Sequence, residues 1–336
     1  MTSKHNIIII GAGLSGLYAA FLLKDRFNVI ILEARERLGG RILTKEGHDL
    51  GPSWIWPHQK HILSLIDELN LELFPQYTKG DALYDSPSKV QRFNPPPSAP
   101  SSRLKGGLEN IINALAVKVP KDTIKLNEEV LSITEQSHGL KIQTVNREYE
   151  ADYILSTLSP RLACENISYF PPLDETLKKA LLQTPTWMGH TAKCVIEFEE
   201  DFWRNEGLSG FVYSPLGPLG EIHDASTQDA PALFGFVQTG ASMQTIREDI
   251  VVQMRRLFKE KSELITDIHL LDWKSEKFSS SIHDKQALSQ HPAYGLNLNH
   301  FHNRLFFIGT ETSYDNGGYL EGAVISAKEI SKTLLK

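Results

Sequence analysis

The glycines near the start of the 336-residue sequence have the spacing of a phosphate-binding turn, because Gly11, Gly13 and Gly16 fit the pattern G-x-G-x-x-G. Gly11 permits a tight turn, Gly13 lets the backbone approach a pyrophosphate, and Gly16 lets a helix pack closely on a strand. The N–H groups at the start of the following helix would then face the phosphates. We predict that a dinucleotide contacts Gly11, Ala12, Gly13, Leu14, Ser15 and Gly16.

The elements around this turn are those that such a site requires. Residues 7–10 are a continuous apolar run, which is typical of a parallel strand buried on both faces. Residues 17–23 have the composition of a helix, and residues 28–32 form a second apolar run that ends at Glu33. A carboxylate at the end of the second strand accepts hydrogen bonds from a ribose diol. The sequence therefore predicts a βαβ unit with Glu33 as the ribose ligand.

The segment after Glu33 indicates which dinucleotide binds. Residues 33–41, Glu-Ala-Arg-Glu-Arg-Leu-Gly-Gly-Arg, resemble the extension found in FAD-binding members of the two-dinucleotide-binding-domain flavoproteins. An NAD-only dehydrogenase does not need this extension. The resemblance implies FAD contacts from Ala34, Arg35, Gly40 and Arg41, with Arg41 neutralising the pyrophosphate or reaching toward the flavin.

Two further segments resemble those of the flavin-dependent amine oxidases, the monoamine oxidase-like family. Residues 49–54, Asp-Leu-Gly-Pro-Ser-Trp, resemble the stretch that runs along the isoalloxazine ring. Residues 309–312 and 317–323 resemble the closing motif of the family, a glycine-rich turn entering a helix beside the flavin pyrimidine. The resemblance implies further FAD contacts from Gly51, Pro52, Ser53, Trp54, Val130, Trp273, Gly309, Glu311, Gly318, Tyr319, Leu320 and Ala323.

The catalytic residues implied by the resemblance are Lys193 and Tyr319. Residues 188–198 and 201–204 resemble the substrate-domain strand of the family, in which the lysine reaches flavin N5 through a water. A positioned amine can hold that water for proton handling or for the reaction of reduced flavin with oxygen. Without its context, a lysine entering a strand is usually solvated. Tyr319 supplies one face of the aromatic pair that sandwiches an amine.

The sequence departs from the family pattern in three ways. The stretch between Tyr84 and Arg103 is short and rich in proline, so we expect the long helical part of the family's substrate domain to be absent. The stretch after Trp273 has no cysteine, so FAD is expected to bind non-covalently. The second aromatic position falls near His283, which either stacks on the substrate or is an exposed loop histidine. Trp54, Trp56 and Tyr294 either supply the missing aromatic face or, as is commoner for such residues, pack in the core or in a lid.

The pattern of elements predicts an α/β fold with a Rossmann-type FAD-binding domain and an inserted α+β substrate domain. We expect residues 1–78, 104–182 and 276–336 to form the FAD-binding domain, and residues 79–103 and 183–275 to form the substrate domain. Strands are predicted near 193–198, 210–213, 220–223, 233–237 and 265–273, around a helix at 242–259. Turn residues and three consecutive prolines predict a loop without regular structure over 85–102.

Composition excludes several classes of protein. A net charge of -6 disfavours an indiscriminate nucleic-acid binder, which needs concentrated Lys and Arg. Two cysteines, Cys164 and Cys194, exclude a disulfide scaffold and four-thiolate metal sites, and we predict no metal. No apolar run has the length of a membrane span or signal segment, so we expect a cytoplasmic protein.

These patterns predict an FAD-dependent oxidoreductase. The expected reaction is oxidation of a small-molecule amine by hydride transfer to flavin N5, with molecular oxygen as acceptor and release of hydrogen peroxide. One alternative is a flavin-dependent desaturase or oxidase of a non-amine substrate, because the scaffold serves several chemistries. Another is a flavoprotein that acts on a partner protein, which a shortened substrate domain would suit.

Overall fold

The computed structural model describes residues 4–228, 230–295 and 298–336, and all elements below belong to these residues. The strands are β1 (Asn6–Ile10), β2 (Asn28–Leu32), β3 (Thr44–Lys45), β4 (His48–Asp49), β5 (Leu73–Pro75), β6 (Asp81–Asp85), β7 (Val90–Phe93), β8 (Ser102–Leu104), β9 (Ile124–Lys125), β10 (Val130–Gln136), β11 (Gly139–Thr144), β12 (Glu148–Ala151), β13 (Tyr153–Ser156), β14 (Ser168–Phe170), β15 (Ala192–Phe198), β16 (Leu208–Tyr213), β17 (Leu219–Asp224), β18 (Ala232–Val237), β19 (Ile265–Asp272), β20 (Asn299–His300) and β21 (Leu305–Phe307). The α-helices are α1 (Leu14–Leu23), α2 (Lys60–Glu68), α3 (Glu109–Ala116), α4 (Pro160–Asn166), α5 (Glu175–Gln183), α6 (Phe202–Asn205), α7 (Ile246–Phe258) and α8 (Leu320–Leu334).

A sheet of the order β20-β21-β13-β1-β2-β9 carries the predicted βαβ unit. Its described strands pair in parallel, except for the antiparallel edge strand β20. Alternate residues of β1 face opposite sides: Ile7 and Ile9 pack among α1, α3 and α8, whereas Ile8 and Ile10 pack toward β10 and β11. Burial on both faces explains the continuous apolar run. The glycine turn follows β1, at the carboxyl edge where such sheets bind ligands.

A second sheet has the order β19-β15-β18-β17-β16-β6-β7, and α7 packs on one of its faces. Its strands and helix lie where the sequence predicted them over residues 192–272. The opposite face carries Val195 and Phe234, which pack against Leu50 from the segment after β4.

The prediction of a structureless loop over 85–102 was partly wrong. Val90–Phe93 forms β7 and pairs with β6 in antiparallel fashion. Ser102 begins β8, which pairs with β5. Prolines remove backbone donors only at 87, 95–97 and 100, so the intervening N–H groups of 90–93 remain free to pair. Within the described residues, no helix is long and apolar enough to cross a bilayer.

Candidate active site

A cavity of about 480 Å³ is lined by the loops after β1, β2 and β13 and by strands β15 and β18. Most residues predicted from the sequence to bind the cofactor or act in catalysis line it. They are Gly11, Gly13, Leu14, Ser15, Glu33, Ala34, Arg35, Gly40, Arg41, Gly51, Pro52, Ser53, Trp54, Val130, Lys193, Trp273, Gly318, Tyr319, Leu320 and Ala323. Residues separated by more than 300 positions in the sequence therefore line the same cavity.

Four predicted residues, Ala12, Gly16, Gly309 and Glu311, do not line the cavity but lie behind its wall. The Ala12 N–H donates to the Glu33 carboxylate at 2.8 Å. A Cβ at Gly16 would lie 2.0 Å from the carbonyl oxygen of Gly11, so this glycine permits helix α1 to pack on the turn. Glu311 is fully buried and pairs with Arg41.

The three glycines of the first motif meet different demands. Gly11 has φ +102°, and a Cβ there would lie 2.4 Å from Thr157 Oγ1, so both strain and space require glycine. Gly13 has an ordinary φ of -77°. The nearest atom to a Cβ at Gly13 would be 3.8 Å away, so the protein itself would accept a side chain. Because Gly13 lines the cavity, its lack of a side chain keeps open a place for a ligand to approach.

This opening lies at the start of α1, where backbone N–H groups and the positive end of the helix favour an anion. No side chain among the described residues caps the helix at Gly13. The Ser15 hydroxyl lies 2.9 Å from the carbonyl oxygens of both Ile308 and Ala323 and shares its one proton between them. The arrangement suits a pyrophosphate held by backbone donors.

Glu33 and Arg35 form the cavity wall at the end of β2. The buried Glu33 carboxylate accepts the N–H groups of Ala12 at 2.8 Å and Arg35 at 2.9 Å, which fixes its orientation. Each carboxylate oxygen retains capacity for another donor, such as a ribose hydroxyl. The Arg35 guanidinium is held by Ser279 at 2.9 Å and by Glu276 at 3.2 Å.

Arg41 is oriented by the C-terminal motif. Its two terminal nitrogens donate to the two oxygens of Glu311 at 2.6 and 3.1 Å. Burial lowers the pKa of Arg41, but the charge and hydrogen bond of Glu311 outweigh this effect and raise the pKa above its usual value. This bidentate pair joins the segment after β2 to the turn before α8, and places a fixed cation at the cavity wall.

Lys193 on β15 is buried and lines the cavity. Nζ donates to the carbonyl of Gly51 at 2.9 Å and to the Ser53 hydroxyl, and lies 4.3 Å from the centre of the Phe234 ring. Burial lowers the pKa of Lys193 to about 7, a shift that nearby Asp49 partly opposes. The lysine thus holds the segment predicted to run along the flavin.

Aromatic rings form the part of the cavity near Tyr319. Trp187 and Trp56 line the cavity with it, and their ring centres lie 6.4 and 5.9 Å from that of Tyr319. His291 stacks on Tyr319 with 5.1 Å between the ring centres and an angle of 2°. Sequence reasoning did not single out Trp187 or His291. Trp187 directly precedes the Met188 segment that was recognised, so its position beside that motif was the available signal.

His283 does not reach this aromatic group. Its side chain is 59% exposed and lies 3.6 Å from Glu165, away from the main cavity. His283 is therefore an exposed loop histidine, which was one of the two interpretations of the sequence. Tyr294 does not line the cavity either; its hydroxyl donates to the carbonyl of Pro185 at 2.7 Å.

Comparisons with known proteins show which family the chain belongs to. The sequence model of the family described as "Flavin containing amine oxidoreductase" matches residues 14–102 and 97–335. The chain is 24% identical to amine oxidase [flavin-containing] B of Bos taurus over 457 residues, covering 100% of this chain and 87% of the relative. It is 24% identical over 461 residues to a probable flavin-containing monoamine oxidase A of Dictyostelium discoideum, covering 99% and 98% of the two chains.

Solved structures share the fold. Wild-type putrescine oxidase bound to putrescine superposes with a TM-score of 0.80 at 19% identity, covering 99% of both chains. Cyclohexylamine oxidase from Brevibacterium oxydans IH-35A gives a TM-score of 0.83 at 18% identity, covering 99% of this chain and 100% of the other. Both support an α/β fold with a Rossmann-type domain and a substrate domain.

The alignment with the bovine relative runs over 457 positions, whereas this chain has 336 residues. Well over a hundred aligned positions therefore have no counterpart in this chain. The family match covers nearly the whole chain, and the glycine turn after β1 and the Glu33 carboxylate line one cavity. The protein belongs to the flavin containing amine oxidoreductase family and is an FAD-dependent oxidoreductase.

Proposed function

We propose that the protein oxidises a small-molecule amine with molecular oxygen as the final acceptor, producing an imine and hydrogen peroxide. When bound, FAD supplies the acceptor for a hydride equivalent from the C–H bond next to the amine nitrogen. The observation that carries this proposal is that the dinucleotide cavity continues to Lys193 and to the rings of Trp187 and Tyr319. The named activities of the relatives agree with it.

We propose that the two ends of FAD are held by different parts of the chain. The N–H groups at the start of α1, beside Gly13, would hold the pyrophosphate, and Glu33 would hold the adenosine ribose. The segment 51–54 and the turn at Gly318 would surround the flavin. The absence of a cysteine from residues 274–283 supports non-covalent binding, which remains a prediction.

Lys193 would act on water and protons beside the flavin. Because burial lowers its pKa to about 7, part of the lysine is neutral near neutral pH and can accept a proton. The partly neutral Lys193 also repels a cationic amine entering the cavity less than a fully charged lysine would. Its contacts with Gly51 and Ser53 hold Nζ in one place, so that proton handling occurs at a fixed position.

Substrate binding would rest on the aromatic rings and on one carboxylate. The faces of Trp187 and Tyr319 attract a cationic or apolar amine. Glu221 on β17 also lines the cavity, and its hydrogen bond with His223 lowers the pKa of Glu221. An ionised carboxylate on the substrate sheet would draw an ammonium group toward the cavity.

We propose the same division into domains that the sequence suggested. The sheet containing β1, β2 and β13 would belong to the FAD-binding domain formed by residues 1–78, 104–182 and 276–336. The sheet containing β6, β7 and β15–β19 would belong to the substrate domain of residues 79–103 and 183–275. The membership of the strands in separate sheets supports this division.

The test begins with an absorbance spectrum of the purified protein, followed by mixing with a panel of amines without oxygen. We expect flavin absorbance that acid precipitation releases as FAD, and bleaching by at least one amine. Hydrogen peroxide should appear in proportion to amine consumed once oxygen is admitted. An FAD-loaded protein that no amine bleaches would contradict amine oxidation and favour a non-amine substrate or a partner protein.

A pair of variants connects the activity to the cavity. Tyr319→Ala removes an aromatic face that lines the cavity, whereas Tyr314→Ala removes a ring that is 81% exposed in the preceding loop. We expect amine-dependent bleaching to slow by about tenfold or more in the first variant, since a cation–π contact contributes up to about 2 kcal/mol. The Tyr314 variant should behave as the unmodified protein. Equal rates in both variants would place amine binding elsewhere.

A further inference from the structure

A second group of chemically capable side chains lies on the substrate sheet, outside the FAD cavity. Glu197 on β15, His269 on β19 and Glu46 in the turn between β3 and β4 each offer a ligand atom, all within 4.8 Å of one another. His48 on β4 adds a further nitrogen, with Nε2 3.5 Å from Glu197 Oε1. No ligand spacing in the sequence signals this group, because its members come from three separate segments.

His48 presents an unsatisfied acceptor to this group. Its Nδ1 lies 3.2 Å from the carbonyl oxygen of Ala225, which can only accept, so Nδ1 carries the proton. In the neutral ring, Nε2 therefore directs a lone pair toward the Glu197 carboxylate. The side chain is 1% exposed, and Nε2 has no hydrogen-bond partner among the residues that the structure describes. A buried imidazole acceptor facing a carboxylate oxygen is unfavourable unless a proton or a metal cation lies between them.

The distances suit a metal ion bound by nitrogen and oxygen. His269 Nε2 lies 2.9 Å from Glu197 Oε1 and 3.9 Å from Glu46 Oε2. The 2.9 Å contact is a hydrogen bond, whereas ligands about 2.0–2.2 Å from a tetrahedral ion are about 3.3–3.6 Å apart. Binding of an ion would therefore replace this hydrogen bond and move the two side chains slightly apart. We propose that Glu46, Glu197 and His269, whose ligand atoms lie within 4.8 Å of one another, bind one divalent first-row transition metal ion, for which Zn²⁺ is the probe. His48 Nε2, 3.5 Å from Glu197 Oε1, would move toward the ion as a fourth ligand.

Charge and access support the assignment. Two carboxylates would neutralise a divalent ion, and two imidazoles supply the ligands that distinguish a zinc-type site from a calcium site. The Glu46 side chain is 63% exposed, so an ion can enter from solvent and this carboxylate can move to complete the coordination.

The ion would join the β3–β4 hairpin to the substrate sheet. On the hairpin side, His48 directly precedes Asp49 and the segment 50–54 at the FAD cavity. On the sheet side, Glu197 lies on β15, the strand that also carries Lys193, and His269 pairs with Val195 between them. Metal binding would therefore stabilise the connection between the hairpin and the strand that carries Lys193. This role is independent of the substrate.

The test uses the FAD-loaded protein without an affinity tag, freed of metal by a chelator and dialysis. Titration with ZnCl₂, followed by calorimetry and by metal analysis after gel filtration, should show one ion per chain and a higher melting temperature. His269→Asn and Glu197→Gln should weaken Zn²⁺ binding by about 100-fold or more. Glu46→Gln changes an exposed ligand that folding does not need, and should weaken binding by roughly tenfold.

The matched control is His302→Asn. His302 is 87% exposed and lies 3.9 Å from Glu135, so it offers a histidine–carboxylate pair of ordinary surface character. This variant should bind Zn²⁺ as the unmodified protein does. The proposal is overturned if the unmodified protein takes up no stoichiometric Zn²⁺, or if Glu46→Gln and His269→Asn retain unchanged affinity and the same shift in melting temperature.

Discussion

Replacing Lys193 by methionine tests how strongly burial disfavours its charge. The pKa of Lys193 is lowered from an ordinary 10.5 to about 7, mainly by burial. Between these two values the unfolded chain binds more protons at this position than the folded chain, so the contribution of Lys193 to stability rises with pH. Below pH 7 both states are protonated and the contribution is constant. Methionine has a similar length and does not titrate.

The magnitude follows from the shift. Each pH unit above 7 should increase the stability of the unmodified protein relative to Lys193→Met by about 1.4 kcal/mol. From pH 6 to pH 9 the difference should therefore change by about 3 kcal/mol. The variant also loses the hydrogen bonds to Gly51 and Ser53, each worth roughly 1 kcal/mol, but that loss does not depend on pH.

The measurement is urea unfolding of both proteins at several pH values with the same excess of FAD. The difference in unfolding free energy, rather than either value alone, isolates Lys193 because all other groups titrate in both proteins. Lys178→Met is the control, since it removes a lysine that is half exposed on α5 and leaves Lys193 in place. A Lys193→Met difference that varies by less than about 0.5 kcal/mol over this range would refute the account of its burial.

Three further changes test other parts of the site. Gly13→Ala should fold normally but bind FAD at least about tenfold more weakly, and FAD affinity equal to that of the unmodified protein in a fluorescence titration would be contrary evidence. Gly16→Ala should instead lose thermal stability, because its Cβ would meet a backbone oxygen. Trp187→Ala should raise KM for the amine by about tenfold while FAD affinity stays constant, and an unchanged KM in steady-state kinetics would exclude contact with substrate. Glu321→Gln should lower the unfolding free energy measured in urea by about 1–3 kcal/mol, because the buried carboxylate accepts the N–H groups of His61 and Ile62 at the start of α2. A loss below about 0.5 kcal/mol would show that these two hydrogen bonds contribute little.

Local patterns predicted the βαβ unit because its signals are contained in short segments. The apolar run before Gly11 and the acid at Glu33 require no knowledge of distant residues. The edge strand 90–93 was missed because turn residues and prolines on both sides dominated the composition of its segment. Such a strand exists through pairing with β6, and its own sequence carries only a weak preference for it.

The sequence by itself determined the cofactor class and the family, since glycine spacing and the terminal motifs are properties of consecutive residues. Only the tertiary structure decided which distant groups meet. It placed Trp187 beside Tyr319, left His283 in solvent, and brought His48 and His269 to Glu197. The physical reason is that burial, pKa and ligand geometry depend on packing between segments, and packing over more than 200 residues is not encoded in local spacing.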